Sequence, residues 1–151
     1  MSDADDRAAG SDSVRVAFVC VQNAGRSQMS TAFAERERER RGLSERVEIL
    51  TGGTHPADHV HDVVVRIMGE EGFDLSDRVP REVSTTELEA CDYVATMGCS
   101  TLELDTAAGV DVRDWALDDP DGADDERARE IRDEIEANVV ELFDEVEERL
   151  S

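Results

Sequence analysis

Apolar and β-branched residues run almost unbroken through "VRVAFVC" (14–20), which predicts a strand buried on both faces. From Gly25 to about Arg41 the period becomes helical, with Met29, Ala32 and Phe33 on one face. Opposite charges three residues apart in "ERERERR" (35–41) read as a solvated face of that helix. "RVEIL" (46–50) predicts a second strand, ending in the turn "TGGTHP". Val60, Val63, Val64, Ile67 and Met68 then recur at helical spacing, closing near Gly69 to Gly72. "STTE" (84–87) has the form of a capping box and opens a short helix. "DYVATM" (92–97) and "VDVRDW" (110–115) are the third and fourth strands. Acidic residues at 124–126 start a long last helix, marked by Ala128, Ile131, Ile135, Val139, Leu142, Val146 and Leu150.

No two strands are joined by a tight hairpin; helices or long connections intervene. That pattern predicts a single α/β domain with a parallel sheet, and ligands bind such sheets beyond the carboxyl ends of the strands. The 151 residues suit one domain, over 14–151. The acidic stretch "MSDADDRAAGSDS" (1–13) lacks the apolar segment of a signal peptide and reads as a disordered lead-in. No apolar run is long enough to span a membrane, and a cytoplasmic location is expected.

Charge narrows the choice of partners. The net charge is −22, with 38 acidic residues against 16 basic ones, every one of them arginine. That balance argues against nucleic acid and anionic membranes. So much like charge opposes compaction in dilute buffer, and about 1 M salt, where the Debye length is roughly 3 Å, removes most of the repulsion. The composition is that expected in a high-salt cytoplasm. Three cysteines, an odd number without a secretory signal, do not make a disulfide framework, so at least one thiol is free.

Chemistry concentrates in "CVQNAGRS" (20–27). Taken alone, the string is compatible with a plain strand-to-helix turn, Cys20 being a small core hydrophobe and Arg26 solvated. It also has every part of an anion cradle. Loop amides and the helix N-terminus converge there, and their positive end favours the thiolate of a nearby cysteine. Arg26 offers a planar fork to two oxygens of a tetrahedral oxyanion. Ser27 has a hydroxyl for the thiolate, and small Ala24 and Gly25 let the backbone approach the ligand.

"VCVQNAGRSQM" resembles the phosphate-binding loop of the low-molecular-weight protein tyrosine phosphatase superfamily; Asn23 and "GRSQM" resemble its arsenate reductase branch most. The similarity continues through "TGGTHPADHVHDVVVRIMGEEGFDLS", "DYVATMGC" and "VRDWALDDPDG". It implies a four-stranded parallel sheet of order 2-1-3-4 flanked by helices. It implies Cys20 as nucleophile, Arg26 as oxyanion ligand, and Val21, Gln22, Asn23, Ala24, Gly25 and Ser27 as the binding loop. Asp119, in the Asp-Pro motif, is implied as general acid, with Asp118 its neighbouring alternative. The implied substrate is a small inorganic oxyanion, arsenate or phosphate, or a phosphoester. No bound cofactor or metal is implied; arsenate reduction takes an external thiol reductant as co-substrate.

With that strand order, Cys99 follows the third strand at the active edge and is either the second thiol that attacks the Cys20 adduct or an inert loop residue. Cys91 begins the strand roughly 20 Å away, too far for a disulfide that needs Cα atoms within about 7 Å, and is expected to be structural. Thioredoxin-coupled relatives resemble "LCGD…CP" here, whereas "TMGC" resembles those that use a small-molecule thiol. Asp121 and Gly122 stand where tyrosine phosphatases carry aromatic residues. His55, His59 and His61 surround a helix start and are expected to cap or lie at the surface rather than bind metal. Trp115 is expected beneath the acid loop. Two alternatives to arsenate reduction stay open: phosphoester hydrolysis, and a non-enzymatic oxyanion sensor or phosphocysteine carrier, which would need no Asp119.

Overall fold

The computed structural model describes residues 13–97 and 109–150. Its elements are β1 (Val14–Cys20), α1 (Arg26–Arg40), β2 (Val47–Gly53), α2 (Asp62–Gly69), α3 (Thr85–Glu89), β3 (Tyr93–Met97), β4 (Asp111–Asp114) and α4 (Asp125–Leu150). The four strands form one parallel sheet in the order β2-β1-β3-β4, as expected. β1 is central because both its faces are apolar. Val14, Val16, Phe18 and Cys20 join the main core with α1, α2 and α4; Ala17 and Val19 join Val83, Leu88, Cys91, Val94 and Val110 on the other face. The carboxyl end of β1 therefore opens at the middle of the sheet edge, between β2 and β3.

β2 runs three residues beyond the expected end at Leu50, pairing Phe18 with Thr51 and Cys20 with Gly53. "TGG" is strand rather than turn, and close approach explains its glycines. A Cβ on Gly52 would lie 2.5 Å from the Cβ of Val83, and one on Gly53 would lie 2.5 Å from the Val21 carbonyl oxygen. Only glycine lets the 81–83 segment and the loop after β1 pack this tightly. α3 carries its capping box, Ser84 Oγ accepting from Glu87 N at 3.1 Å and Glu87 Oε1 accepting from Ser84 N at 3.0 Å.

The charged stretch of α1 departs from the expectation of a solvated face. Glu37 is buried, accepting from Arg41 Nε at 3.0 Å. Arg36 lies over the rings of Phe33 and Phe73 and pairs with Glu136 of α4 at 2.6 Å. The long stems of Arg36 and Arg41 cover apolar surface while their guanidinium groups find carboxylates of α4, so this side packs on α4 while Glu39 and Arg40 stay exposed.

Candidate active site

The loop between β1 and α1 is held from outside. The carbonyls of Cys20, Val21, Gln22 and Ala24 accept from the backbone N–H groups of Thr54, His55, Ala57 and His61, at 3.2, 2.7, 2.9 and 2.9 Å. No described peptide bond is cis. A trans peptide points its N–H opposite its C=O, so the amides of Val21, Gln22, Asn23 and Gly25 turn away from that outer segment, toward the ligand side. The Asn23 amide donates to Cys20 Sγ at 3.2 Å.

Asn23 is the strut of the loop. Its φ of 51° is left-handed, a conformation asparagine tolerates better than most residues. Its Nδ2 donates to Ser27 Oγ at 2.7 Å and to Thr51 Oγ1 at 2.8 Å, while its Oδ1 accepts from Arg81 N at 3.0 Å and Gln28 Nε2 at 3.1 Å. Ser27 Oγ lies 2.9 Å from Cys20 Sγ. With Asn23 donating to its oxygen, Ser27 keeps its own hydrogen for the sulfur.

Beyond the sulfur is a pocket of ≈ 260 Å³ lined by Cys20, Val21, Gln22, Gly25, Arg26, His61, Asp119 and Asp121. Arg26 is fixed by donating to the Leu117 carbonyl at 3.0 Å, and its other terminal nitrogen is 3.6 Å from Asp119 Oδ2. Asp118 points elsewhere: it is exposed and paired with Arg127. The register within "DDP" thus sets Asp119, not Asp118, at the pocket. Asp119 Oδ1 accepts from the Asp121 amide at 2.9 Å, which orients the carboxyl.

The remaining candidates separate clearly. Cys91 is buried just before β3, where its thiol donates to the Glu87 carbonyl at 3.5 Å. Burial pushes that thiol up to about 11, with Asp92, Glu48 and Glu87 adding to the rise against an opposing pull from Arg15. Cys99 lies outside the described residues. Trp115 packs on the core with its ring 6.0 Å from that of Phe18. His55 and His59 are at the surface, and no described group of His, Cys, Asp and Glu is arranged to hold a metal. His61 is the N-cap residue of α2, in keeping with a capping role, and its ring lines the pocket and sits 3.0 Å from Gln22 Oε1. Thr51 and Arg81, which hold Asn23, carry no local sequence signal, because their roles arise only once distant segments meet, whereas Gln28 lies within the quoted loop motif itself.

No described helix is long and apolar enough to cross a membrane. A protein of Halobacterium salinarum named "Putative arsenate reductase" is 80% identical over 128 residues, covering 85% of this chain and 89% of that one. The glutaredoxin arsenate reductase of Synechocystis is 28% identical over 131 residues, covering 85% of this chain and 95% of that one. Among solved structures, a thioredoxin-dependent arsenate reductase of Corynebacterium glutamicum superposes with a TM-score of 0.73 at 29% identity, over 95% of this chain and 71% of that one. The family model for low molecular weight phosphotyrosine protein phosphatases matches residues 15–151. Fold and sequence agree, and the chain belongs to the low molecular weight phosphotyrosine protein phosphatase family.

Proposed function

We propose that the protein reduces arsenate to arsenite with electrons from thiols, through a covalent adduct on Cys20. The observation that carries this reading is the Asn23 amide aimed at Cys20 Sγ on the floor of a pocket walled by Arg26 and Asp119. The arsenate reductases among the relatives support the choice of substrate.

In the first step the Cys20 thiolate attacks arsenic, forming the S–As bond. One As–O bond breaks, and the departing oxygen takes a proton from Asp119 and leaves as water. Arg26 and the loop amides hold the remaining oxygens. In the second step another thiolate attacks the Cys20 sulfur. The S–As electron pair passes to arsenic, As(V) becomes As(III), and a disulfide remains on Cys20 for the external thiol to reduce. That second thiol is Cys99 or the external reductant itself. The same constellation also suits phosphoester hydrolysis, in which water attacks the phosphorus of a phosphocysteine, the S–P bond breaks and the Cys20 thiolate leaves. The charge balance fits a high-salt cytoplasm.

Paired turnover of arsenate and p-nitrophenyl phosphate in molar salt, with monothiol, glutaredoxin and thioredoxin donors, tests this. Arsenite formation that depends on the donor is expected. Brisk phosphatase activity with no arsenite from any donor would leave a phosphatase.

A further inference from the structure

Five polar groups form an arc around the pocket mouth, and only one of its ends is part of the reading above. Gln22 belongs to the nucleophile loop and Asp121 to the acid loop; His61 stands between them. Its Nε2 lies 3.0 Å from Gln22 Oε1 and its Nδ1 lies 3.9 Å from Asp121 Oδ1. Gln22 Oε1 and the Asp121 carboxylate only accept, so the ring that faces both carries a hydrogen on each nitrogen and meets Asp121 as a cation. Asp121 then reaches the acid through its amide, which donates to Asp119 Oδ1 at 2.9 Å, and Asp119 Oδ2 faces Arg26 at 3.6 Å.

The ring is also anchored from below. The His61 amide donates to the Ala24 carbonyl at 2.9 Å, and the His61 carbonyl accepts from Val64 and Val65 at the start of α2. A Cβ added to Gly25 would meet Pro120 Cγ at 3.2 Å and His61 Cδ2 at 3.5 Å, so both pack on the same spot of the nucleophile loop. The acid loop itself is exposed at Asp118, Asp119, Asp121 and Gly122. The Arg26 side chain, at 3.6 Å, also lies beside the carboxyl that must meet the leaving oxygen.

We propose that His61 is a positioning residue that latches the acid loop to the nucleophile loop, holding the Asp119 carboxyl over the bound oxyanion. This rests on the reading of Cys20 as nucleophile and Asp119 as acid. The latch acts through Asp121 and the Asp119 carboxyl, on protonation of the leaving group.

Leaving-group dependence separates that role from a structural one. The full-length protein in molar salt is assayed for kcat/KM on phenyl phosphate, whose leaving group needs a proton, and on 2,4-dinitrophenyl phosphate, whose leaving group does not. Inorganic phosphate serves as competitive inhibitor, to report the cradle. His61→Ala is expected to lower kcat/KM about 10- to 100-fold on phenyl phosphate, part of the usual effect of a positioned acid, and less than about threefold on the dinitrophenyl ester. The inhibition constant of phosphate should stay within about threefold. Asp121→Asn should show the same split, and the double variant should be little worse than either single one, since the two act through one contact. His61→Gln, which keeps an N–H donor for Gln22, provides a second variant should the alanine protein fold poorly, and should recover part of the loss. Equal losses on both esters, or weakened phosphate binding, would overturn the latch while Asp119→Asn still shows the split. An Asp119→Asn protein without the split would overturn the acid assignment and the latch with it.

Discussion

The sheet holds two buried cysteines, one at each end, and their surroundings are opposite. Cys20 closes β1 at the carboxyl edge, where an amide donor and a hydroxyl converge on its sulfur and Arg26 lines the same pocket. Cys91 precedes β3 at the amino edge, where its thiol is itself the donor, to the Glu87 carbonyl, among carboxylates. Both are nearly inaccessible, at 3% and 5%. Burial therefore does not distinguish a nucleophile from packing; the sign of the groups aimed at the sulfur does. In a parallel sheet that sign follows from direction, because helices start above the carboxyl edge and turn their N–H ends to it.

If the contrast is chemical, Cys20→Ser abolishes turnover of arsenate and aryl phosphate while phosphate still binds, because the cradle outlives the thiolate. Arg26→Ala should lose binding and rate together, since its fork serves ground and transition states alike. More than a trace of turnover by the Cys20→Ser protein would remove the covalent step. Next in size, Asp119→Asn should lower phosphoester turnover by about 10² to 10⁴-fold. Asp118→Asn, paired with Arg127 at the surface, should change it less than about twofold.

The fold should also strengthen between about 0.1 M and 2 M salt. Screening weakens the arginine–carboxylate pairs, but exposed pairs contribute about 1 kcal/mol or less each, and the excess of acidic residues repels throughout. A melting midpoint flat or falling over that range contradicts the high-salt reading. The smallest effect belongs to Cys91. The unfolded thiol ionises near its ordinary value of 9.0, whereas the folded one holds its proton to about 11. The stability this gives is complete below 9.0 and declines as pH rises toward 11. The denaturation midpoint of the wild type, minus that of Cys91→Ala, should fall over that interval.

Local sequence is enough for the presence of the four strands, the capping box and the long last helix, because each is written in neighbouring residues. The resemblance supplied the strand order and the loop. Three features were illegible for one reason: they depend on segments far apart in the chain. "TGG" reads as a turn until Val83 and Val21 close on it. "ERERERR" reads as a solvated face until Phe73 and Glu136 arrive. His61 reads as a capping or surface histidine until the acid loop, some sixty residues on, brings Asp121 beside it.

One turnover with arsenate, followed by mass spectrometry of the cysteine peptides, tests the covalent thiol mechanism itself. Without reductant, an internal relay predicts released arsenite and a Cys20–Cys99 disulfide. With one equivalent of a small thiol, direct attack predicts arsenite and a mixed disulfide on Cys20. In both cases Cys91 stays a free thiol. Arsenite appearing with Cys20 unmodified, or a disulfide that includes Cys91, would contradict the account.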